Sequence, residues 1–204
     1  VDLRYARRSL LRYINHRFGK ICCLLLGNFN FFNKKIKSGP IKKILFLKIV
    51  GIGDAVLILP SIKAYKREFP DTHVCVLTSE ELKDVFWGED FIDELIIYDL
   101  FGKDSGIFGF LKLIKKLREK SFDCSVDFEQ HLYLTTILCY LSRIPRRIGF
   151  SHPLHKRDYL LTGSVMFEDK KHMARTFLDL VRVINPKINF QQLERIAVNS
   201  EDRE

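Results

Sequence analysis

Asp54 directly follows Gly51-Ile52-Gly53, where the apolar run Ile44–Val50 gives way to a segment of helical spacing. A carboxylate at such a turn has two uses. It can cap the helix by accepting bonds from its unpaired N–H groups, which is worth about 1 kcal/mol. It can also act as a base at the carboxyl edge of a sheet, taking a proton from a substrate hydroxyl. By residue type alone, capping is the commoner use. The helix dipole keeps the group ionised, so it suits a proton that moves late, as a leaving group departs. The turn is also similar to the dinucleotide fingerprint G-x-G-x-x-G, but Val56 replaces the third glycine. A carboxylate at the helix start would moreover repel a pyrophosphate. Dinucleotide binding at this turn is therefore not expected.

The elements needed to position Asp54 can be traced along the chain. Ile44–Val50 is apolar but for Lys48, as expected of a parallel strand covered on both faces. A helix is expected over 54–69, starting or kinking near Pro60 and stopping at Pro70. Further strands are expected at His73–Thr78, Glu94–Tyr98, Cys124–Phe128 and Arg147–Phe150, with short ones at Tyr159–Leu161 and Val165–Phe167. Helices are expected around Glu80–Phe86, Phe110–Glu119 after a loop over Gly102–Gly109, Leu132–Ser142 and His172–Ile184. This alternation predicts an α/β fold, an open parallel sheet with helices on both faces. Ligands of such sheets gather at the carboxyl ends of the strands, here Gly51–Asp54, Thr78–Glu81, Asp99–Lys103 and Phe128–His131.

The charge is uneven. Residues 1–43 hold eleven Lys and Arg against one acid, Asp2, while the whole 204-residue chain is +9; the body from residue 44 is therefore −1. Residues 1–40 thus read as a basic arm and linker. Leu10, Leu11, Ile14, Phe18, Ile21, Leu24 and Leu25 give the arm an apolar stripe near helical spacing. Two placements fit: a helix lying on an anionic membrane surface, or one packed on the protein itself. Nucleic acid is not the expected partner. The run Ile21–Leu26 is far short of the roughly 20 apolar residues that span a bilayer. The five cysteines form no CxxC pair and no metal-ligand spacing, and Cys75 and Cys124 lie in apolar runs. The expected address is cytoplasmic, peripheral on the inner face of the membrane.

Several stretches, in order, resemble glycosyltransferase family 9, the heptosyltransferase family. They are KKILFLKIVGIGDAVLILPSIKAYKREFP (Lys42–Pro70), HVCVLTS, FIDELIIYD (Phe91–Asp99), FDCSVDFEQ (Phe122–Gln130), RRIGF (Arg146–Phe150) and HMARTFLDLV (His172–Val181). The resemblance covers about 41–184 and implies the Rossmann-like, acceptor-side half of a two-domain GT-B enzyme. Residues 185–204 would then lead toward a donor-binding domain that lies outside this sequence. It further implies metal-independent inverting displacement, with no cofactor and a nucleotide-sugar such as ADP-heptose as co-substrate. The acceptor would be lipid-linked or of lipopolysaccharide type.

Asp54 matches the family's catalytic aspartate, so the resemblance favours the base over the cap. Gly51, Ile52 and Gly53 would line the substrate beside it. Lys48 would face the cleft or snorkel from mid-strand. Asp127, Glu129 and Gln130 would meet the acceptor or form a local turn. Arg146 and Arg147 would grip an anionic acceptor or stay solvated at an edge. His172 and Arg175 match early-helix positions of the family, where a histidine is also a common cap. The stretch DFEQHLYLT (Asp127–Thr135) lacks the glycine and lysine that well-known heptosyltransferases carry there. A general family-9 transferase is thus expected rather than a lipopolysaccharide-core heptosyltransferase. The competing reading is a non-catalytic, stand-alone module that binds a saccharide or partner.

Overall fold

The computed structural model describes residues 19–27, 39–100, 102–152, 156–168 and 170–190. Six parallel strands form one sheet in the order β3-β2-β1-β4-β5-β6. They are β1 (Lys43–Leu47), β2 (His73–Thr78), β3 (Glu94–Ile97), β4 (Cys124–Asp127), β5 (Arg146–Ser151) and β6 (Gly163–Met166). Helices follow the strands: α2 (Ile52–Glu68), α3 (Lys83–Phe86), α4 (Gly106–Lys120), α5 (Tyr133–Leu141) and α6 (Met173–Arg182), with residues 19–27 forming α1. The fold is the expected Rossmann-like α/β arrangement.

The apolar run at 44–47 is central because its side chains alternate between two cores. Ile44 and Phe46 join α2, α3 and α6 on one face, while Leu45 and Leu47 join α4 and α5 on the other. Phe46 meets the rings of Tyr65 at 5.5 Å and Phe128 at 5.8 Å. Full burial of such a ring is worth about 3 kcal/mol. The edge strands β3 and β6 are only partly covered.

Three expected elements differ. The segment Tyr159–Leu161 is not a strand; a 3-10 turn occupies Lys156–Leu160. Helix α4 starts four residues before Phe110, through Gly106 and Gly109. A Cβ at Gly109 would fall 1.9 Å from the Asp104 carbonyl oxygen, so this glycine marks a close backbone approach inside a helix, not a loop. Helix α2 does not begin near Pro60 but at Ile52, and carries the proline inside it. At the far end, Ile188 and Phe190 are buried in the core, so packing continues past residue 184.

The basic arm lies largely outside the described residues. Its described part, α1, packs on the domain. Gly19, Cys23 and Gly27 form the inner face, and a Cβ on Gly19 or Gly27 would fall 2.4 Å or 2.5 Å from Tyr133 Cβ or Tyr159 Cβ. The Tyr140 hydroxyl donates to the Leu26 carbonyl. Burial raises the Cys23, Cys124 and Cys139 thiols to about 12, so these three stay protonated and pack as small apolar groups.

Candidate active site

The chain leaves β1 at Leu47 and turns sharply into α2. Lys48 N–H still bonds the Leu77 carbonyl, but the next two amides leave the ladder. Ile49 N–H and Val50 N–H both donate to Glu129 Oε1, at 2.7 and 2.9 Å. Gly51 turns at φ +90°, a conformation that favours glycine. Apart from its chain neighbours and its own helix backbone, nothing among the described residues lies within 4 Å of where a Gly53 Cβ would sit. The lip formed by Val50, Gly51, Ile52 and Gly53 is exposed.

Asp54 stands on this lip, its side chain 32% exposed. Its carboxylate accepts from Lys48 Nζ at 3.2 Å, and no capping bond from the helix's own amides accompanies this. Lys48 is 2% exposed, lies over the Phe177 ring, and also reaches Glu129 Oε2 at 3.5 Å. It therefore neither snorkels nor lines open cleft. One buried ammonium is shared by two carboxylates, of which Glu129 is buried and Asp54 is open. Burial pushes the Glu129 carboxyl above its ordinary range, against the opposing pull of Lys48 and the two amides.

A second ion pair braces the first. Asp127 is buried and takes Arg157 Nη2 at 2.7 Å, together with the hydroxyls of Thr135 and Thr136. Arg157 is fully buried and also donates to the carbonyls of Glu129 and Gln130 and to Thr136 Oγ1. Asp127 is thus spent on structure and not presented to an acceptor. The expectation of an Asx-type turn is met: Glu129 N–H donates to Asp127 Oδ1 at 3.1 Å. Gln130 is half-buried at the same edge, its amide nitrogen 4.0 Å from Met173 Sδ. Arg157 had no signal in the sequence, being 21 to 30 residues from the groups it binds.

The two strand-β5 arginines do not join this edge. Arg146 pairs with Cys124, which pairs with Ile44, so it sits at the amino end of the sheet, about 10 Å below the end of β1. Its guanidinium donates to the Gly39 carbonyl. Arg147 is buried and donates to the carbonyls of Ile144 and Leu160. His172 acts as the α6 cap, its Nδ1 accepting from Ala174 N–H at 3.3 Å. Arg175 lies over the Phe190 ring, 3.4 Å from Asn189 Oδ1. The hydroxyls of Thr78 and Ser79, at the end of β2, are buried without a bonding partner among the described residues.

No protein-family model and no curated protein matches the chain. Solved structures do. The glycosyl transferase family 9 protein of Veillonella parvula superposes with a TM-score of 0.70 at 22% identity, over 78% of this chain and 46% of that one. The E. coli heptosyltransferase WaaC with ADP-2-deoxy-2-fluoro heptose gives 0.62 at 13% identity, over 74% and 51%. E. coli ADP-heptose lps heptosyltransferase II gives 0.60 at 16% identity, over 78% and 48%. What they share with this chain is the fold. The chain spans about half the length of the solved structures it matches.

Proposed function

We propose that the chain is the acceptor-side half of an inverting glycosyltransferase that moves a heptose-like sugar from a nucleotide-sugar to a cell-envelope saccharide. The observation that carries this reading is Asp54: an open carboxylate at the carboxyl edge of the sheet, fixed from below by a buried lysine. The matched fold supports it, one such structure being described with an ADP-heptose analogue.

In this reading the acceptor hydroxyl approaches the exposed side of Asp54. As the C–O bond to the nucleoside diphosphate breaks, the hydroxyl oxygen bonds the anomeric carbon and its proton passes to Asp54. Lys48 is shared with Glu129, so Asp54 is not matched one to one by a cation. Groups that meet the charge on the leaving diphosphate belong to a donor-binding domain outside residues 1–204. The basic arm, in the same reading, holds the enzyme on the anionic inner face of the membrane, near a lipid-linked acceptor.

The test is Asp54→Ala in the polypeptide that carries both halves, with nucleoside diphosphate release as the readout. Turnover is expected to fall about 10²- to 10⁴-fold, with stability changed by no more than about 1 kcal/mol because the side chain is part-exposed. Turnover like the wild type removes Asp54 as the base. Saccharide binding without any turnover in the unmutated protein favours the binding-module reading.

A further inference from the structure

Helix α4 carries an apolar tip that the core does not use. Ile107, Phe108 and Leu111 are 62%, 84% and 52% exposed. The inner face of α4 is filled separately by Leu113, Ile114 and Leu117, which pack against β1, β2 and α5. Just beyond the tip, Lys112, Lys115 and Lys116 are all exposed, and Lys103 precedes it. Over Gly106–Lys120 there are five basic residues and one acid, Glu119, a net +4. Arg118 is spent on the Leu141 carbonyl, Lys120 on Glu94, and Lys115 lies 4.0 Å from Glu119. Lys112 and Lys116 have no ion pair among the described residues. The helix is therefore an apolar point with a basic collar about one turn, or roughly 5 Å, behind it.

Its location matters as much as its composition. All six strands are parallel, so the start of α4, after β3, lies at the same sheet edge as Asp54, two strands and about 10 Å across. Helix α1 begins near that edge, where Gly19 meets Tyr133, the first residue of α5, and runs back toward Tyr140 and Tyr159, with Ile21 and Leu25 54% and 55% exposed on its outer side.

We propose that the first two turns of α4 are a membrane-inserting tip that seats the β3 side of the domain on an anionic bilayer. Charge selects this occupant. An apolar point enters the acyl boundary while lysines one turn back reach phosphate headgroups, their stems lying along the apolar region. Each such lysine adds about fivefold to partition onto an anionic surface. A contact made through a helix packed on the core fixes orientation as well as attachment. The purpose of this contact rests on the glycosyl-transfer reading, but its geometry does not.

The test uses the full chain and vesicles of phosphatidylcholine and phosphatidylglycerol in equal parts. Ile107→Ser/Phe108→Ser should lower co-sedimentation at least about tenfold. Lys112→Glu/Lys116→Glu should do so at low salt and lose the effect at high salt. Arg7→Glu/Arg8→Glu/Arg12→Glu reports the arm separately. Phe108→Trp in a Trp87→Phe background should be quenched by lipids brominated high in the acyl chain. The proposal is overturned if the serine pair binds vesicles like the wild type, or if the new tryptophan is not quenched. It is equally overturned if the serine pair instead turns a lipid-free dimer into a monomer with vesicle binding unchanged, which would make a second copy the occupant. Asp54→Ala should leave vesicle binding unmoved, so failure of the catalytic reading is seen separately.

Discussion

Two ion-pair clusters lie within three residues of each other on the chain, at Asp127 and at Glu129, and they are built to opposite ends. Around Asp127 one anion meets one cation, and Arg157 spends its remaining donors on a hydroxyl and two carbonyls. The side chains of this pair are 1% and 2% exposed. Around Lys48 two anions share one cation, and one of the anions faces solvent. Balanced and sealed charge makes a brace. Unbalanced charge with an open side makes a group that can take a proton. The difference could not be judged from residue types, since both clusters are drawn from Asp, Glu, Lys and Arg.

The comparison breaks most readily at Arg157. Arg157→Met leaves Asp127 buried without its cation, which should cost about 3–5 kcal/mol in urea unfolding. A loss under about 1 kcal/mol would show that the pair is not the brace described here. Lys48→Met is expected to cost less, about 3 kcal/mol, because Glu129 keeps its two amide donors and Asp54 can turn to water. Turnover should fall as well, since Asp54 loses the contact that orients it; unchanged turnover would detach Lys48 from the reaction.

Glu129→Gln gives the smallest effect and the sharpest one. The amide oxygen can still accept from Ile49 and Val50, so stability at neutral pH should hold or rise slightly. The carboxyl's raised pKa means the folded wild type takes up its proton first on acidification. Wild-type stability from this group is therefore greatest in acid and declines as pH rises through the raised value. The advantage of the glutamine variant should accordingly fade as pH is lowered through the carboxylate range in a series of urea titrations. Turnover should drop, by less than in Asp54→Ala, because Lys48 then serves Asp54 undivided. A variant less stable than wild type at neutral pH would assign the carboxylate a structural role instead.

The strands were legible because continuous apolar runs have few other uses in an alternating chain, and Asp54 because a tight glycine turn leaves little doubt where the next side chain goes. Arg146 and Arg147 were misplaced for a physical reason. The two ends of a short strand look alike in sequence, yet a parallel sheet sends its beginnings and endings to opposite edges. Lys48 was ambiguous because its partner Glu129 is 81 residues away. Arg157 was invisible for the same kind of reason, and it lay in a stretch whose 3-10 turn read as a strand. The α4 tip was hidden by Gly106 and Gly109, which look like a loop until the packing against Asp104 is seen.

The single Glu129 oxygen that receives both Ile49 and Val50 N–H groups welds the ends of two neighbouring strands into one stiff jaw. Such a jaw has no slack with which to chase a substrate. The hydroxyl must be delivered to a fixed carboxylate, and any closing that shuts out water falls to whatever stands opposite.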